Sequence, residues 1–154
     1  MLFDPKHEGP LDALEAQLRR AFGLTRALIS NVIADACLRL PVMKRAGKAA
    51  RIDQLIEAGD DAALALIELE LPAWKLRRLV YEDGEWFCAL SRQPNLPVAL
   101  DDTVDARHEV LPLAILSAFV EARRRASAMR ETSLQTVPPV RQSSGYAICC
   151  GNFR

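Results

Sequence analysis

The dipeptide Asp83-Gly84 constrains this chain more than any other feature. It sits between Lys75–Glu82 and Glu85–Ser91, two runs rich in Leu, Val, Tyr, Trp and Phe. Asp-Gly tolerates positive φ at both central positions of a two-residue turn, so the pattern predicts a β-hairpin. The implied register pairs Tyr81 with Trp86, Val80 with Phe87 and Leu79 with Cys88. An isolated hairpin is marginal in water. This one must therefore lean on helices or gain a third strand, for which Leu96–Leu100 is the candidate, demoted to an edge by Pro94 and Pro97.

The chain before the hairpin is helical in pattern. Pro10 opens a first helix whose core face is Leu11, Leu14, Leu18 and Phe22, and Gly23 ends it. Thr25 caps a second, with Leu28, Ile29, Val32, Ile33, Ala36 and Leu40 inward and Pro41 as its stop. A third is expected over about 48–58 through Ile52, Leu55 and Ile56. A fourth follows Asp60 and Asp61, is apolar nearly all round, and stops at Pro72. Such a helix belongs in the middle of a core or at a subunit interface. After the hairpin, Asp101, Asp102 and Thr103 read as a helix start, for a long helix from about Val104 or His108 to Met129. That helix carries two apolar stripes, Leu111, Ile115, Phe119, Ala122 and Ala126, and Leu113, Leu116 and Val120. One stripe can serve the domain and the other a partner.

The expected fold is thus a mainly helical α+β single domain over residues 1–130: four N-terminal helices, a β-hairpin at about 75–91, and a long C-terminal helix. From Thr132 the composition shifts to Ser, Thr, Gln, Pro and Gly, so 131–154 reads as a flexible or loosely docked tail.

Charge and motif content exclude several functions. Twenty Lys and Arg balance twenty Asp and Glu over 154 residues, half of them hydrophobic. A disordered polar chain and a uniformly basic nucleic-acid protein are both ruled out. No apolar run reaches the roughly 18 residues of a membrane span. The first residues lack a secretory signal pattern. Cys37 and Cys88 lie among apolar neighbours, whereas Cys149 and Cys150 are adjacent and unlike a redox or zinc pair. A cytoplasmic setting follows. No Gly-rich phosphate loop, dinucleotide fingerprint or nucleophile elbow can be written, so neither a cofactor nor an enzyme is expected.

Two clusters remain as candidate sites. The first is acidic: Asp101, Asp102, Asp105, His108 and Glu109. On a helix, Asp101, Asp105 and His108 would share a face, a set able to hold a divalent metal or to move protons. Carboxylates also gather at helix starts simply because the dipole and free N–H groups favour them. His108-Glu109 begins like a zinc-protease motif, but the second His position is Pro112.

The second cluster is basic. Residues 19–51 hold eight bases against Asp35 alone, and residues 52–74 hold six acids and no base. Arg19, Arg20, Lys44, Arg45, Lys48 and Arg51 could form a nucleic-acid surface, or the two blocks could face each other. A winged helix-turn-helix would match the outline of short helices, hairpin and long helix. However, its reading helix would be residues 62–71, which offers Leu, Ile and Glu to the bases and no Arg, Lys, Asn or Gln. The sequence therefore points to a small non-enzymatic interaction or regulatory protein, self-associating as a homodimer through its apolar helices. A nucleic-acid-binding regulator using the basic segment is the alternative.

Overall fold

A computed structural model describes residues 9–40, 42, 53, 54, 57 and 60–134. Helix α1 spans Pro10–Arg20 and α2 Arg26–Ala36. Helix α3 is Asp60–Glu70. Strands β1 (Lys75–Glu82), β2 (Glu85–Ser91) and β3 (Thr103–His108) form an antiparallel sheet in the order β1-β2-β3. Helix α4, Leu111–Leu134, closes the chain's described part. The molecule is α+β. Among the described residues three helices precede the sheet, not four. Of the helix expected over 48–58 only Asp53, Gln54 and Glu57 are described, all helical, and the rest lies outside the described residues.

Local chemistry explains each element. Thr25 Oγ1 accepts the Leu28 N–H at 3.2 Å and so caps α2. Pro10 occupies the first turn of α1, where no N–H is needed, and Asp12 accepts the Gly9 N–H. The hairpin has the register its sequence implies, with Tyr81, Val80 and Leu79 opposite Trp86, Phe87 and Cys88. Asp83 and Gly84 both adopt positive φ, 55° and 86°, as a type I′ turn requires. The Tyr81 and Trp86 rings meet at 5.2 Å, a contact that holds the register.

The third strand is not Leu96–Leu100. That stretch is a loop with one 3-10 turn, Val98–Leu100, and its Leu96, Val98 and Leu100 are exposed. Pro97 withholds an N–H where a ladder would need one. The ladder forms instead at Thr103–His108, where Val104 and Ala106 lie opposite Leu90 and Cys88. Residues 103–108 therefore leave the long helix, which begins at Leu111. Pro112 sits harmlessly in its first turn, and the helix runs to Leu134, past the expected end at Met129.

Helix α4 is the centre of the core. It packs on β2 and β3 on one side and on α1 and α3 on the other. Leu113, Ile115, Leu116, Phe119, Val120 and Ala122 are all at most 2% exposed. Both apolar stripes turn to the core, with Leu111 and Ala126 half-buried at the ends of the first, and each large buried side chain contributes about 1.5–3 kcal/mol of transfer energy. Leu14, Leu18, Val32, Leu66 and Leu90 complete this core. Phe22, expected in the core, is 97% exposed. It lies beyond α1, in the bend before α2, where the helical period no longer aims it inward.

A candidate anion-binding cleft

Helix α3 ends at Glu70, and Pro72 prevents its continuation. Glu70 is buried, 4% exposed. Its carboxylate accepts three consecutive backbone N–H groups from the chain after α2. Leu38 donates to Oε2 at 2.9 Å, Arg39 to both oxygens at 2.9 and 3.0 Å, and Leu40 to Oε1 at 2.6 Å. Arg39 and Leu40 begin a helical stretch, so Glu70 caps it from 30 residues away in sequence. This bond set fixes Leu38 and Arg39 as one wall of a cleft. Arg123, Ala126, Arg130 and Ser133 of α4, Leu71–Trp74, and Arg92 just after β2 line the same cleft. The cleft encloses about 650 Å³, within the ordinary range of ligand sites.

Among the described residues, four arginines line this space against one acidic residue, Glu70, both of whose carboxylate oxygens already accept N–H groups. Arg123 is only 7% exposed. No carboxylate of the described residues lies within ion-pairing distance of it. Its two neighbours differ. Arg124 binds Asp12 at 2.7 Å, Glu15 at 2.7 Å and Glu121 at 2.9 Å. Arg125 binds Asp102 at 2.7 Å and the Thr103 carbonyl at 3.1 Å. Arg92 donates to Met129 Sδ at 2.9 Å and stands 3.9 Å from Asp102. The Arg123 guanidinium thus borders the cleft with no carboxylate partner among the described residues. Cys37 feels both Glu70 and Arg123. Burial pushes its thiol well above the ordinary range, Glu70 adds to the rise and Arg123 opposes it. Cys88 is pushed up to about 12 by burial. Both are protonated thiols and poor nucleophiles.

The structure places the acidic candidates on a loop, a strand and a bend, and describes Arg19 and Arg20 of the basic ones. Asp101 ends the β2–β3 loop, its side chain fully enclosed. It accepts hydrogen bonds from Ser91 Oγ, from Arg77 and from the Gln93 N–H at 3.0 Å. Burial alone would raise its pKa, but those three donors hold it below the usual carboxylate value. Asp105 and His108 lie on a strand, three residues apart, and so face opposite sides of the sheet. The helical spacing is absent, yet both residues border one groove with Glu15, Arg19, Glu121 and Arg125. His108 Nδ1 accepts the Val110 N–H at 3.0 Å, which ties it to the start of α4. Glu109 is exposed in the bend before that helix. Among the described residues no group of three His, Cys, Asp or Glu side chains could hold a metal ion.

Of the basic candidates, Arg19 pairs with Glu15 at 2.6 Å. Together with Arg20 it borders a different groove, shared with Arg107, His108 and Glu109. Lys44, Arg45, Lys48 and Arg51 lie outside the described residues. Sequence reasoning missed the convergence of Arg39, Arg92, Arg123 and Arg130. The one available signal was the spacing of Arg123, Ala126, Arg130 and Ser133 along a single helical stripe. Comparison with protein-family models, curated proteins and solved structures gives no match.

Proposed function

We propose that this protein is a non-enzymatic binding protein that captures an anionic group of a partner in the arginine cleft. The observation that carries the reading is Arg123, more than nine-tenths buried, facing the cleft without an ion pair while its neighbours Arg124 and Arg125 are fully engaged. Guanidinium groups stay charged at all physiological pH values and present fixed forks of donors. They hold an anion but do not shuttle protons. The remaining polar group of the wall, Glu70, is occupied as a cap. Binding, not bond-making, is what this set of groups does well.

One feature weighs against the alternative, a continuous nucleic-acid face over 19–51. Arg19 and Arg20 border one groove and Arg39 another, so the described bases do not line up. Self-association draws no support from α4, whose two apolar stripes are both satisfied inside the chain.

Arginine side-chain NMR during a pyrophosphate titration at constant ionic strength tests the proposal. The Nε–Hε signals of Arg123 and Arg130 should shift saturably, with Arg124 unmoved. Uniform small shifts of the exposed Arg19, Arg20 and Arg26, with Arg123 silent, would refute it.

A further inference from the structure

Resting on the anion-binding reading, we infer that the natural occupant of the cleft is a short acidic, amphipathic peptide segment of another protein, laid along α4. Three observations point to this class of ligand. The first is shape. Arg123 and Arg130 are seven residues apart on one face of α4, so their backbones are separated by two turns, about 10 Å. A small inorganic anion fills only part of that span. A peptide spans both, with carboxylates about three residues apart if extended or seven apart if helical.

The second observation is chemistry. The cleft is not purely basic: Leu38 and Met129 flank it and are 54% and 46% exposed, over a buried Trp74. Exposed Leu and Met beside guanidiniums match alternating acidic and apolar side chains. A nucleic-acid strand would instead ask for exposed aromatic rings on which bases stack, and Trp74, the ring in this wall, is only 3% exposed.

The third is charge. Residues 135–154 of this chain contribute Arg141 and Arg154 and no Asp or Glu. The stretch that follows Arg39 adds Lys44, Arg45, Lys48 and Arg51 before its first acid, Asp53. The stretches that directly follow Arg39 and α4 in the sequence are basic, whereas an acidic partner has the complementary sign.

Fluorescence anisotropy with the full chain provides the test. The probes are a labelled peptide of roughly twelve residues alternating Glu and Leu in helical register, an oligoglutamate of equal charge, and a single-stranded DNA of equal charge. The peptide should bind at least about tenfold more tightly than either other probe, since burying one or two Leu side chains gives that factor. Arg130→Gln, at an exposed position, should weaken the peptide about tenfold. Met129→Ala, which removes an apolar contact without adding a charge, should reduce its advantage over oligoglutamate. Equal binding of all three probes, with pyrophosphate still bound at Arg123, overturns the peptide inference alone. Failure of pyrophosphate as well as the peptide overturns the anion cleft itself.

Discussion

Glu70 shows how one side chain can be structural and yet shape a binding surface. Its carboxylate takes the N–H groups of Leu38, Arg39 and Leu40, donors that would otherwise be orphaned at a helix start. Charge-assisted hydrogen bonds of this kind are stronger than neutral ones. Glu70→Gln keeps the shape but presents an amide NH₂ to one or more of the same donors. It should cost about 2–3 kcal/mol in urea unfolding and release the Leu38–Arg39 wall. A loss under about 0.5 kcal/mol would mean that the cap is dispensable. Nothing in the sequence marked this residue. It looked like one more acid in the block 52–74, and its partners are backbone groups, which leave no trace in side-chain patterns. The same holds for Arg123, Arg124 and Arg125, three identical letters with different fates. Helical geometry sends Arg124 to the acids of α1, Arg125 to Asp102, and Arg123 into the cleft.

At the scale of elements, the hairpin was legible to the residue because Asp83-Gly84 fixes both the turn and the register. The caps of α1 and α2 were legible for a similar reason: Pro10 and Thr25 act on their own helices. The third strand was misplaced because acids at 101–105 resemble a helix start. Their real use is a loop clasp. The β1–β2 pairing skips Arg77, which bulges between Leu76 and Arg78, and this extra residue reaches Asp101 and the Leu96 carbonyl. Asp101 thus ties β1, the end of β2 and the entrance of β3 together. Its folded-state pKa lies below the ordinary 3.8. Its contribution is therefore fully present above that value and disappears as pH falls through the lower, folded-state pKa. The acid limb of a Tm-versus-pH curve should be measurably shallower in Asp101→Asn than in the unaltered chain. Parallel acid limbs in the two proteins would show that the clasp carries no proton linkage.

For the molecule as a whole, α4 decides the architecture. The sequence showed its two apolar stripes, and a partner subunit was a reasonable destination for one of them. The fold instead sandwiches the helix between the sheet and the N-terminal helices, leaving its polar remainder, Arg123, Arg130 and Ser133, as one side of the cleft. Periodicity reveals how many faces a helix must bury but not which neighbours cover them. The cleft was illegible for the same reason: its arginines come from the α2–α3 connection, the end of β2 and α4, and only the tertiary fold brings them together.

On the proposed reading, Arg123 serves binding rather than stability. Arg123→Met preserves most of the buried stem and removes the unpaired charge. The decisive measurement takes unfolding free energy and pyrophosphate affinity on this one variant. The variant should be at least as stable as the original, with affinity reduced about tenfold or more. A variant destabilised by more than about 2 kcal/mol that still binds pyrophosphate at full strength would contradict it.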